Sequence, residues 1–190
     1  LNGLSFLHGL DNPVIHNEIT TQNVMLDISG GVPIPKIIDF GYARYQSQSI
    51  SSFMLKGLNP FYLAPEALNG IFSIQSDIFS VGAMLYHLLY GMLPYYTDIS
   101  KVKGDRNALL TEISEARTRP LRIPNKSIFE MDEQLINTMS KALALDVEDR
   151  FQSADEFIKA IKDEIKVDRI THKPQSTFVE NSDTHEENKN

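Results

Sequence analysis

His16-Asn17-Glu18-Ile19-Thr20-Thr21-Gln22-Asn23 is a polar octet held between two short apolar runs, Val14-Ile15 and Val24-Met25-Leu26. Each run is rich in β-branched or large apolar residues and reads as a short strand, with the octet as the loop between them. Asp27 to Pro35 (DISGGVPIP) is turn chemistry, dense in Gly and Pro. Lys36-Ile37-Ile38 then reads as a third short strand that delivers the chain to Asp39-Phe40-Gly41. A histidine, two carboxylates and several amides are thus carried at strand ends, where a rigid backbone can hold them.

Working outward, Leu1 to Leu10 has the spacing of the end of an amphipathic helix, broken by Asn12-Pro13. Gly41 to Lys56 is rich in Ser and Gln without a sustained period and reads as a loop, followed by Ala64-Pro65-Glu66. Ile78 to Thr97 contains no Asp, Glu, Lys or Arg, and its length alone would allow a membrane span. His87, Gly91, Pro94 and the flanking Asp77 and Asp98, with no basic cluster nearby, point instead to the central helix of a soluble core. Asn107 to Arg117, Asp132 to Ala144 and Ser153 to Ile165 carry helical spacing, and Ser153 with Glu156 has the spacing of a capping box. After Ile170 only Phe178 and Val179 are sizeable apolar residues, so the tail is expected to be disordered.

Composition narrows the function classes. The 190 residues hold 18 Lys+Arg against 25 Asp+Glu, a formal charge of −7, which argues against a general nucleic-acid coat. The absence of cysteine excludes a disulfide scaffold, a zinc ribbon and a thiol nucleophile, and agrees with a cytoplasmic protein. A hydrophobic fraction of 42% with 23% charged residues is that of a folded domain.

The order of the octet, Asp39-Phe40-Gly41, Ala64-Pro65-Glu66 and Asp77 resembles the C-terminal lobe of eukaryotic-type protein kinases, whose signatures are H-R-D-x-x-x-x-N, D-F-G and A-P-E. The resemblance covers roughly Leu1 to Ile165 and implies an α+β fold, mainly α-helical, with short strands around the catalytic loop. It divides the chain into a lobe at 1–166 and a tail at 167–190. It also implies transfer of the ATP γ-phosphate to a protein Ser/Thr hydroxyl, with Mg²⁺ as the metal. By position, Glu18, Asn23 and Asp39 would be catalytic, and Asn23 and Asp39 would supply an amide and a carboxylate oxygen to Mg²⁺, a hard cation. Thr20, Gln22, Asn23, Met25, Ile38 and Asp39 would lie against ATP, Gly41 would permit the turn after Asp39, and Leu58 to Tyr62 would meet the protein substrate. The same resemblance pairs Glu66 with Arg150, packs Phe40 near His16, and has Asp77 hydrogen-bond the catalytic-loop backbone.

Several positions depart from the pattern. Glu18 stands for the catalytic aspartate, one methylene longer, and a displacement of about 1 Å can cost roughly 10²-fold in rate. Asn17 replaces the arginine that in many kinases grips a phosphorylated loop, so Ser47, Ser49, Ser51 and Ser52 read as solvated loop residues rather than switches. Thr20 replaces a lysine near the transferred phosphate. Asn59 takes the place of a threonine and could hydrogen-bond Glu18. No Gly-rich loop, strand lysine or helix glutamate of the N-terminal lobe occurs in the sequence. The chain is therefore expected to be a piece of a longer protein that supplies that lobe, and on its own to bind ATP poorly. The readings that follow are a protein kinase, a pseudokinase used as a nucleotide-binding or interaction module, and a small-molecule phosphotransferase of the same fold.

Overall fold

The computed structural model describes residues 1–48, 56–95, 97–98, 100, 102, 104–125, 127–128 and 132–171. The elements in chain order are α1 (Asn2–His8), β1 (Val14–Ile15), β2 (Val24–Asp27), β3 (Ile34–Ile37), β4 (Arg44–Tyr45), α2 (Pro65–Leu68), α3 (Ile74–Tyr90), α4 (Arg106–Arg117), α5 (Glu133–Ala142), a 3₁₀ turn (Val147–Asp149) and α6 (Ala154–Thr171). This is the expected mainly helical α+β architecture with small strands around the polar loop.

The central element is α3. Ser73 caps it: its hydroxyl accepts from the Ser76 N–H, and the Ser76 hydroxyl accepts from the Ser73 N–H, a reciprocal capping box. Gly91 closes the other end in the left-handed conformation at φ 70°, its N–H donating to the His87 carbonyl. Every residue from Ser76 to Ala83 is buried. One core cluster joins Leu58, Tyr62, Phe79, Tyr86, Met139 and Leu143; the other joins Leu4, Ile19, Ile78, Val81, Phe151 and Phe157. Ile78 and Phe79 therefore feed different clusters from adjacent positions, so the first half of the helix is apolar because it is covered on both sides, while Leu88 near its end is exposed. Each such side chain contributes about 1.5–3 kcal/mol by leaving water. Helix α3 packs on α5, and α6 packs on both α1 and α5. No helix among the described residues is long and apolar enough to cross a membrane.

The strands form two antiparallel pairs. β2 and β3 make a hairpin in the register Val24↔Ile37 and Asp27↔Ile34, and a surface ion pair at 2.6 Å joins Lys36 to Asp27. The Lys36 ammonium and the Ser29 donors hold the Asp27 carboxyl down at about 2. β1 pairs with β4 through Val14↔Tyr45 and Ile15↔Arg44.

Several boundaries differ from the sequence reading. β2 runs on to Asp27 and β3 begins at Ile34, because hairpin pairing draws the ends of the turn segment, Pro35 included, into the ladder. β4 lies inside the segment read as loop, since its pairing partner is thirty residues away in the chain. α3 starts at Ile74 rather than Ile78 and stops at Tyr90, before Pro94. At α6 the Ser153 hydroxyl accepts from the Glu156 N–H as expected, but the Glu156 carboxylate takes the Gln152 N–H, so the box is not reciprocal. That helix continues to Thr171, into the segment expected as tail; residues 172–190, with Ser49, Ser51 and Ser52, lie outside the described residues.

Candidate active site

Asp77, in the first turn of the buried α3, fixes the octet from below. Its Oδ2 accepts from the His16 N–H at 2.7 Å and its Oδ1 from the Asn17 N–H at 2.9 Å. His8 Nε2 on α1 lies 3.0 Å from the same Oδ2. Backbone N–H groups of a loop are thereby satisfied by one carboxylate at a helix N-terminus, where negative charge is favoured. Asn17 is bent into the left-handed region at φ 68°, and its side-chain N–H donates to the Tyr42 carbonyl at 2.7 Å. That bond and the β1–β4 pair tie the octet to the segment after Asp39-Phe40-Gly41. Asn17 Oδ1 is buried without a partner among the described residues, and Asn17 lines, with Ile15, Arg44 and Gln46, a cavity of about 10 Å³, room for about one water.

His16 is fully buried and satisfied. Nε2 contacts the Ile38 carbonyl at 3.2 Å, Nδ1 accepts from the Glu18 N–H at 3.3 Å, and the Phe40 ring meets it edge-on at 5.0 Å. These contacts make Nε2 the protonated nitrogen and give His16 a role in shaping the loop.

Glu18, Asn23 and Asp39 converge above this base. The Asn23 side-chain N–H donates to the Glu18 carbonyl at 2.9 Å, while the Ile38 N–H donates to the Asn23 carbonyl at 3.0 Å. Burial raises the Glu18 carboxyl above its usual range and the Asp39 charge raises it further, with the Asn23 side chain acting in the opposite direction. Asp39 stands at φ 60° and accepts the Gly41 N–H on Oδ1 at 3.1 Å. The left-handed residue of this turn is thus Asp39 itself rather than Gly41. A non-glycine residue costs about 1–3 kcal/mol there, a strain that local structures carry at functional positions.

The residues present fit a divalent cation. Glu18 and Asp39 repel each other with no basic side chain paired to either among the described residues. Asp39 and Asn23 offer hard oxygen donors, the type Mg²⁺ takes. No group of three or more His, Asp or Glu converges as a metal cage among the described residues, so the remaining ligands would have to be phosphate or water oxygens.

The other predicted positions divide. Thr20 is buried, with its hydroxyl accepting from the Gln22 N–H at 3.2 Å, so it shapes the loop. Gln22 is exposed, Ile38 half-buried, and Met25 is 58% exposed on the hairpin. Asn59 turns its amide oxygen onto the Phe61 N–H at 3.2 Å, and no hydrogen bond joins it to Glu18 among the described residues. The segment Leu58–Tyr62 is pinned by its carbonyls: Arg106 Nη2 donates to Leu58, Arg117 Nη2 to Pro60, each at 3.0 Å, and Ser80 Oγ to Tyr62 at 2.9 Å. Sequence reading missed these anchors and the Tyr62–His87 contact at 2.7 Å, because nothing local marks a partner that far along the chain.

A polar loop hung on the first turn of a buried helix thus lies beside a hairpin whose paired strands bring Asn23 and Asp39 to adjacent ends. The family model described as protein kinase domain matches residues 1–162, and the chain belongs to that family. Among its relatives, the serine/threonine-protein kinase atg1 of Dictyostelium discoideum is 29% identical over 157 residues, 82% of this chain and 21% of that protein. The probable serine/threonine-protein kinase PknB of Lactococcus lactis is 29% identical over 178 residues, 93% of this chain and 26% of that protein. The tyrosine-protein kinase MasK of Myxococcus xanthus is 28% identical over 169 residues, 84% of this chain and 24% of that protein. The chain thus spans about a fifth to a quarter of the length of these curated relatives.

Proposed function

We propose that this chain is the acceptor-side and metal-holding lobe of a protein Ser/Thr kinase. The observation that carries the reading is the placement of Glu18, Asn23 and Asp39 together, the Asn23 side chain on the Glu18 carbonyl, with burial first and Asp39 second raising the Glu18 carboxyl. Bound Mg²⁺ would neutralise the developing charge on the phosphates, held by Asp39 and Asn23. The substrate hydroxyl oxygen bonds to the γ-phosphorus of ATP, the bond from that phosphorus to the β-bridging oxygen breaks, and ADP leaves. Glu18 orients the hydroxyl and accepts its proton. An ionised carboxylate whose pKa is raised toward the working pH suits that role.

Ser/Thr specificity is supported by the names of two of the relatives, the third being a tyrosine kinase. A second lobe covering the hairpin is supported by the exposure of Met25, Leu26, Ile28, Val32 and Ile34, an apolar set facing solvent in this structure. The pseudokinase alternative has Glu18, Thr20 and Asn17 in its favour, and the retention of Asn23 and Asp39 at both metal-binding positions against it. The test is Mg²⁺-dependent transfer of labelled γ-phosphate to protein by the full-length molecule, followed by phosphoamino-acid analysis. Phosphoserine or phosphothreonine is expected. ATP binding without transfer would contradict the reading.

A further inference from the structure

Three hydroxyl and imidazole groups outside the proposed metal site form a chain across the lobe. Thr21 Oγ1 lies 3.2 Å from Tyr62 Oη, and Tyr62 Oη lies 2.7 Å from His87 Nδ1. The three come from the octet, the segment before Ala64-Pro65-Glu66, and the last turn of α3. Tyr62 is 5% exposed, so its hydroxyl has no bulk water to fall back on.

The chain has a direction. With Nδ1 as acceptor, Tyr62 donates to His87, and its oxygen is left to accept from the Thr21 hydroxyl. In that tautomer His87 commits the Tyr62 proton, and Tyr62 commits that of Thr21. Thr21 sits in a loop braced by its own hydrogen bonds: the Asn23 N–H bonds the Thr20 carbonyl at 3.2 Å, and the Asn23 side chain bonds the Glu18 carbonyl at 2.9 Å. On the other side, Leu58–Tyr62 is held by the Arg106, Arg117 and Ser80 bonds described above. Between these two braced segments the Thr21–Tyr62 contact is the side-chain hydrogen bond found among the described residues.

We propose that Tyr62 and His87 are positioning residues that align the octet carrying Glu18 with the segment meeting the protein substrate. The inference rests on the kinase reading above. Loss of the link leaves substrate bound on Leu58–Tyr62 but its hydroxyl out of line with Glu18, and misplacement on this scale is costly in rate.

The test uses the full-length protein and an unphosphorylated peptide substrate that carries a Ser or Thr acceptor. Tyr62→Phe, which removes one oxygen, and His87→Leu are each expected to lower kcat about tenfold while KM for the peptide changes less than twofold. The double variant is expected to match the singles, since both break one chain, and His87→Asn, which keeps an acceptor near Nδ1, to recover most of the rate. Independent, multiplicative losses, or a rise in KM with kcat unchanged, would overturn the assignment. Hydrogen exchange of the Gln22 and Asn23 amides supplies a reading that needs no activity. Equal acceleration in Tyr62→Phe and His87→Leu supports the link, and unchanged exchange overturns it. Absence of transfer by the wild type would sink the kinase reading alone and leave the exchange result to decide this one.

Discussion

Glu66 and Arg150, 84 positions apart, are joined by a two-pronged ion pair: Nη1 to Oε1 at 2.7 Å and Nη2 to Oε2 at 2.9 Å. Arg150 is 1% exposed, and its other N–H groups reach the carbonyls of Ala144, Gln75 and Leu145. Ser76 Oγ adds a bond to Glu66 at 2.9 Å. The pair fastens the segment after Leu58–Tyr62 to the turn preceding α6. Because every Arg150 donor is matched, removing Arg150 leaves the partly buried Glu66 charge with the Ser76 hydroxyl alone. Arg150→Ala is expected to cost about 3–5 kcal/mol, which for a domain of this size lowers Tm by about 6–20 °C. Arg150→Lys should recover little, since an ammonium cannot reproduce the fork. A thermal melt of Arg150→Ala within a degree of wild type would contradict this.

Arg117 is the contrasting case. It is buried, and Nη2 bonds Pro60, but Nε and Nη1 have no partner among the described residues. Burial lowers the guanidinium to about 10, so it stays charged at neutral pH. Its compensation is the Phe79 ring, 5.3 Å away. Replacing an under-satisfied buried charge by an apolar residue of similar length is often neutral or stabilising. Arg117→Met is expected to change stability by less than about 1 kcal/mol, in urea titration, the lost Pro60 bond being offset by relief of desolvation. A loss as large as that of Arg150→Ala would show that the missing donors are met by groups such as ordered water.

Gly82 marks the closest approach of α3 to α5. A Cβ there would lie 2.9 Å from Ala142 Cβ and 3.2 Å from Leu143 Cγ. Helix propensity alone would favour Gly82→Ala by about 1 kcal/mol, but overpacking costs about 1–3 kcal/mol. Net destabilisation of up to about 2 kcal/mol by denaturant midpoint is therefore expected. A stabilised variant would mean the helices can part freely.

Glu18 ties activity to pH. Its folded-state pKa is raised, by burial first and by Asp39 second. A proton-accepting Glu18 must be ionised, so kcat/KM should rise with pH through a midpoint above the usual carboxylate range. The sign for stability is opposite to that of a salt-bridged acid. The folded state binds this proton more tightly than the unfolded chain, so Glu18 disfavours folding at neutral pH, and that penalty is relieved as pH falls through the raised value. Asp39→Asn should lower the Glu18 midpoint, followed by carboxyl NMR, only part of the way, because burial is the larger cause. A midpoint unmoved by Asp39→Asn would show that the two groups do not interact.

What the sequence disclosed depended on how local its signals were. The octet, Asp39-Phe40-Gly41 and Ala64-Pro65-Glu66 are contiguous, and the uncharged run after Asp77 announced the helix that supports them. Paired residues such as Glu66 and Arg150 were legible only through the order of motifs. The Ser73–Ser76 cap escaped notice because neither serine is unusual by itself. β4 was hidden because two residues gain strand geometry only by pairing with Val14-Ile15. Asn59 turned its amide oxygen onto the Phe61 N–H two residues on, a choice set by turn geometry rather than residue type.

The most direct test of the account is the initial rate of Mg²⁺-ATP-dependent phosphate transfer to protein by the full-length molecule, for wild type, Asp39→Ala and Glu18→Ala side by side. If Glu18, Asn23 and Asp39 form one site, both variants lose at least about 10²-fold in rate, with folding intact by circular dichroism. Transfer by Asp39→Ala at the wild-type rate would contradict the account.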